Sequence, residues 1–178
     1  VTNHIRKLIS RGYQITAGDL RYNADSLKSL VPVLKEASTY RTSVRWTTLR
    51  KIINGVTFEI EFVLDEEHAA GRKMFTSAIG DADVVVYDGH AGYGANIEGA
   101  FTSPGAYPKG KYQILYLNGC STYKYGMSEI LSSKALRDGD FNHWNVDLIT
   151  TANAAVGHSM NDVLLQKLEL AATLYDKP

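Results

Sequence analysis

The sequence holds a single cysteine, Cys120, among 178 residues. One thiol excludes an internal disulfide and any zinc site built from several cysteines, and it leaves the redox compartment open. An excess of either charge is also missing: 19 Lys plus Arg balance 19 Asp plus Glu, with no block of like sign along the chain. That balance argues against nucleic acid or a charged membrane surface as a partner. No apolar run approaches the ~18 residues that span a bilayer, and no secretory pattern opens the chain. A soluble protein without membrane insertion is expected, of unassigned compartment and oligomeric state. Internal repeats, low-complexity tracts and linkers are absent as well. The length suits one domain of ordinary size and is short for two. The chain opens on Val1 without methionine, which reads as a processed product or a domain excised from a longer chain.

What is present is an alternation of strand and helix patterns. Gly12–Gly18 reads as a short strand, and residues 25–37 as a helix interrupted by Pro32. Two runs across residues 42–64 flank Asn54-Gly55, a strong hairpin signal, with Val56, Phe58, Ile60 and Phe62 alternating against Thr57, Glu59 and Glu61. Residues 66–79 read as a helix stopped by Gly80. Val84–Tyr87 and Tyr112–Leu117 are short β-branched and aromatic runs bounded by glycine, the pattern of strands buried on both faces. Between them, residues 89–110 carry six glycines and two prolines without a period, the mark of a functional loop. A helix is expected from about Gly126 to Leu136, then a strand at Asn145–Thr151. A final helix follows Ser159, whose pairing with Asp162 resembles a capping box. This order predicts an α/β fold with a mostly parallel sheet covered on both faces and an added hairpin.

Two of these strands end on chemically capable residues. His90 follows the first central strand and Cys120 the second, and in an open α/β sheet ligands bind beyond the carboxyl ends of the strands. A thiol is mostly protonated at neutral pH, and a neighbouring imidazole can take its proton during attack on a carbonyl. The Gly119-Cys120 peptide can turn tightly and offer N–H groups to an oxyanion. Asp88, just before Gly89-His90, is placed to orient the imidazole, to attract a basic substrate, or to serve as an ordinary turn aspartate. His68, His143 and His158 have no ligand spacing, so no metal is expected. Gly92-Tyr93-Gly94 lacks the third glycine and the Lys-Ser/Thr of a phosphate loop, so no nucleotide cofactor is expected.

DVVVYDGHAGYG followed by YQILYLNGCST resembles the paired strand motifs of the caspase, legumain and gingipain clan of cysteine peptidases, and LITTANAAVGHS resembles the next strand of that clan. The resemblance covers roughly residues 12–175 and implies a three-layer α/β/α, caspase-hemoglobinase-like fold acting on a peptide or protein substrate. It implies Cys120 as nucleophile and His90 as general base and acid, without a cofactor. The backbone N–H of Cys120 and one in the Ala91-Gly92 step would form the oxyanion hole. Asp19, Arg21, Thr151, Ala152 and Asn153 would line the substrate pocket, Arg21 favouring an acidic side chain and Asp19 a basic one. Two positions differ from the clan's pattern: Ala91 stands between His90 and Gly92, and Asn118-Gly119-Cys120-Ser121-Thr122 replaces the caspase-type pentapeptide. They motivate an alternative reading as a catalytically inactive caspase-like module that uses the 89–110 loop as a protein-interaction surface.

Overall fold

A computed structural model describes residues 2–19, 45–64, 69–96, 99–153 and 159–175. The chain is mixed α/β and divides into two compact units, residues 1–71 with 165–178 and residues 72–164. Among the described residues the strands form two three-stranded sheets, one in each unit. The expected helix over residues 25–37 and the pocket residue Arg21 lie outside the described residues.

The first unit opens with helix α1 (Thr2–Ser10). Its apolar positions Ile5, Leu8 and Ile9 fall at helical spacing, and Ile5 and Leu8 are buried. Gly12, at φ 90°, stops it, with Gly12 N–H donating to the Ile9 carbonyl at 2.9 Å. Strand β1 (Gln14–Asp19) pairs antiparallel with β2 (Arg45–Ile53), which pairs antiparallel with β3 (Val56–Leu64). The β2–β3 turn is the expected two-residue one: Ile53 faces Val56, with Asn54 and Gly55 at φ 48° and 75°. The alternation also holds, since Phe58, Ile60 and Phe62 pack with Ile5, Leu8, Tyr13, Ile15 and Leu49 while Thr57, Glu59 and Glu61 stay exposed. Glu169 joins Arg11 and, at 3.5 Å, Lys51. Burial raises the Glu169 carboxyl, but Arg11, Tyr13 and Lys51 together outweigh it and hold the group below the usual range.

One expectation is corrected here. The strand near residues 12–18 was to open a mostly parallel sheet; it belongs instead to the hairpin's sheet, so three of the six described strands are antiparallel and three parallel. The hairpin offers an edge through β2, and residues 14–19 complete it.

The second unit is built on a parallel sheet in the order β4 (Val84–Asp88), β5 (Gln113–Asn118), β6 (Val146–Thr150). Helix α2 (Ala69–Asp81), from Arg72 on, leads into β4, α3 (Thr122–Asp138) links β5 to β6, and the first turns of α4 (Ser159–Leu174) follow, its residues from Leu165 on belonging to the first unit. One face of the sheet carries the core, with Val85, Leu115, Leu117 and Val146 packed against Ile79 of α2 and Ile130 of α3. Buried Gln113 closes the α2–β5 corner, its amide donating to the Ile79 and Ala82 carbonyls, each at 2.8 Å. Only β5 is buried on both faces. Val86 and Ile149 are 39% and 41% exposed, because β4 and β6 are the outer strands of a three-stranded sheet.

Helix α3 begins at Thr122, well before the expected Gly126, and ends at Asp138, capped by Gly139, whose φ is 70°. Its buried face holds Thr122, Gly126, Ser133, Lys134 and Ala135, so hydrophobic periodicity under-reports it. Lys134, 1% exposed, pairs with Asp138 at 3.2 Å and donates to the Pro108 and Lys111 carbonyls at 3.0 and 2.8 Å. Burial raises the Asp138 carboxyl, yet the Gly110 N–H and the Lys134 ammonium together hold it below its usual range. Those bonds fasten the end of the glycine-rich stretch to α3. Ala100, Phe101 and Tyr107 from the same stretch enter the core, and the Tyr107 hydroxyl donates to the Phe101 carbonyl at 2.6 Å. The 89–110 segment is therefore anchored at several points along its length.

Candidate active site

The parallel ladder fixes where His90 and Cys120 stand. Asp88 pairs with Asn118 at the last rung of β4 and β5, so each candidate is the second residue past the paired ends of adjacent strands. Gly89 N–H extends the ladder by one bond to the Asn118 carbonyl, at 3.1 Å. Beyond it the two loops touch at Gly119. A Cβ there would lie 2.9 Å from the Gly89 carbonyl oxygen, 3.0 Å from Thr122 Cγ2 and 3.5 Å from Ala91 N. Glycine is needed at 119 for close approach, not for a left-handed backbone. The left-handed residue is Ser121, at φ 54°, which turns the chain from β5 into α3. No sequence signal marked it.

A hydroxyl clasp secures the cysteine loop to the end of β6. Thr122 Oγ1 donates to the Leu117 carbonyl at 2.8 Å and accepts the Thr151 N–H at 3.0 Å, while Thr151 Oγ1 donates to the Gly119 carbonyl. Ser121 N–H reaches the Asn153 carbonyl at 2.9 Å and Tyr123 N–H the Thr151 carbonyl at 3.1 Å. Three strand ends thus converge on one edge. Of the pocket candidates, Thr151 and Asn153 bond directly to the cysteine loop, and Ala152 lies exposed between them. Asp19 ends β1, opposite Trp46, in the other unit.

The histidine loop is held just as firmly. The His90 carbonyl accepts both the Tyr87 hydroxyl and the Asn96 amide, each at 2.6 Å. Asp88 receives the Asn118 amide at 3.0 Å and the Asn161 amide at 2.6 Å, one on each oxygen. Its carboxylate therefore braces the strand ends and the first turn of α4. Asn118 and Asn161 are partners the sequence reading missed, because the contacts span 30 and 73 positions.

The side chains of His90 and Cys120 are exposed, and Ala91 is 2% exposed. Among the described residues the N–H groups of Ala91, Gly92 and Cys120 donate to no acceptor. Ala91 is the buried one of the three, and a protein normally spends its buried N–H groups, so an unspent one in the loop after His90 is a source of a donor for an anionic oxygen, as are the exposed N–H groups of Gly92 and Cys120. Among the described residues no group of three His, Cys, Asp or Glu could hold a metal ion, and no helix is long and apolar enough to cross a membrane. Compared with family models, curated proteins and solved structures, the chain matches none of them.

Proposed function

We propose that this edge is the active site of a cysteine endopeptidase, in a three-layer α/β/α arrangement similar to that of the caspase, legumain and gingipain clan. The observation that carries the reading is the β4–β5 register, which sets an exposed histidine and an exposed cysteine at equivalent positions beyond neighbouring strand ends. The unspent N–H groups of Ala91 and Cys120 support it. Ala91, the departure from the clan's glycine, is compatible with the oxyanion role because the donor is its backbone.

The chemistry would run by acyl transfer. Cys120 Sγ gives its proton to the His90 ring and attacks the peptide carbonyl carbon, and the carbonyl oxygen takes the negative charge beside the Ala91 and Cys120 N–H groups. As the tetrahedral species collapses, the C–N bond breaks and His90 protonates the leaving amine. Water then attacks the thioester, giving its proton to His90, and the new acid leaves with the thiol restored. Thr151, Ala152 and Asn153 would border the substrate. The alternative, an inactive module docking partners through residues 89–110, has less surface available than the sequence suggested, since Ala100, Phe101 and Tyr107 are buried.

Iodoacetamide alkylation and hydrolysis of a mixed peptide library test the proposal together. Wild-type protein should cleave peptides, Cys120→Ala should abolish cleavage, and His90→Ala should slow both cleavage and alkylation, cleavage by about 10²–10⁴-fold. Alkylation at one rate in wild type and His90→Ala, with no cleavage by either, would sink it.

A further inference from the structure

The turn after His90 makes an unusual use of tyrosine. Gly92, Tyr93 and Gly94 have φ values of 56°, 55° and 99°, so three consecutive residues have positive φ. Glycine adopts such angles freely, whereas a tyrosine does so only at a cost. The turn is pinned on both sides, by Gly94 N–H to the Ala91 carbonyl at 2.9 Å and by the Asn96 amide to the His90 carbonyl at 2.6 Å. Burial does not offset the cost, because Tyr93 is 87% exposed. Among the described residues its ring contact is edge-to-face with Tyr125, centroids 6.2 Å apart and planes at 84°. Tyr125 lies in the first turn of α3, the helix that starts directly after the cysteine loop. The Lys124 ammonium stands 5.3 Å above the Tyr125 ring.

We propose that Tyr93 and Tyr125 form an aromatic wall joining the turn after His90 to the helix after Cys120, and that this wall selects peptides with a large apolar side chain near the bond attacked. The assignment rests on the peptidase reading of the same edge. An exposed ring face carried on a pinned turn favours contact with apolar or aromatic groups. A cationic side chain would stack there too on chemistry alone, but Lys124 already occupies the neighbouring ring and repels a second positive charge. Tyr93 is thus a specificity-determining residue, outside the bond-breaking chemistry.

The test compares second-order rates of Cys120 alkylation by N-benzyl iodoacetamide, N-(4-aminobutyl) iodoacetamide and iodoacetamide, with a small free thiol as reference. In the wild type, the benzyl-to-plain ratio should exceed that of the free thiol by about tenfold, the scale of one good aromatic contact. Tyr93→Gly, which suits the positive φ, and Tyr125→Ala should each bring the ratio back toward the reference. A wild-type ratio equal to the free thiol's, a ratio unmoved in both variants, or an equal gain for the cationic reagent would each overturn the assignment. Because these are ratios, they stay readable even if His90→Ala shows that the thiol is not activated.

Discussion

The two sheets have equal strand numbers and opposite uses of their ends. In the antiparallel sheet β1 and β3 end at one edge and β2 at the other, so its termini are shared between two edges, and the β2–β3 turn, Asn54-Gly55, is a tight connection. In the parallel sheet all three strands end at the same edge, and Gly89–Ala91, Gly119–Ser121 and Thr151–Asn153 meet there. Parallel pairing gathers loops that are far apart in sequence, and antiparallel pairing spreads its ends. The cost is that the parallel half depends on long-range ties where the hairpin depends on a local turn.

Three substitutions would break or sharpen that contrast. The largest effect should come from Lys134→Met, which takes the ammonium from the buried Asp138 side chain and leaves it the Gly110 N–H. Leaving one partner of a buried pair typically costs about 3–5 kcal/mol, read as lost hydrogen-exchange protection in α3 and β5. With Lys134 present, the lowered Asp138 pKa contributes stability above the ordinary carboxylate range, and that contribution disappears as pH falls through the folded-state value. In Lys134→Met the ammonium no longer helps to hold the carboxyl down, so acid should narrow the gap between variant and wild type; a constant gap would show that Asp138 is not the group affected. Gly119→Ala should come next, at about 3 kcal/mol, since the new methyl meets the Gly89 carbonyl and overpacking of this kind typically costs 1–3 kcal/mol. A thermal melt equal to wild type would mean that the two loops do not touch. Gly55→Ala should be mildest, about 1 kcal/mol for a left-handed alanine, with amide protection lost only in β2 and β3. Loss of protection in β5 as well would contradict the local character assigned to the hairpin.

The same contrast explains what could be read from the sequence. The hairpin was legible because its signal sits in two adjacent residues and an alternation. The strands at residues 84–88 and 113–118 were legible as apolar runs, and with them the positions of His90 and Cys120. The partner of β1 was not legible, because edge pairing is decided by whichever strand is free. The start of α3 was hidden by Thr122, a polar residue buried to make two hydrogen bonds rather than to remove apolar surface. The Thr122–Thr151 clasp, the Asp88 amide pair and the anchoring of residues 100–107 are contacts between distant positions. Composition and periodicity carry no record of them. Tyr93 left a trace in its flanking glycines, which read first as a failed phosphate loop.

The register of the two sheets has a mechanical side. Drawn apart at Arg45 and Leu64, the open ends of the β2–β3 hairpin, the ladder yields one rung at a time, like a zip, because the force lies along each bond. Drawn apart at Val84 and Asn118, opposite ends of the β4–β5 pair, the ladder is loaded in shear, and its rungs share the load. The β4–β5 pair beneath His90 and Cys120 therefore resists traction along its strands better than the hairpin resists traction at its open ends.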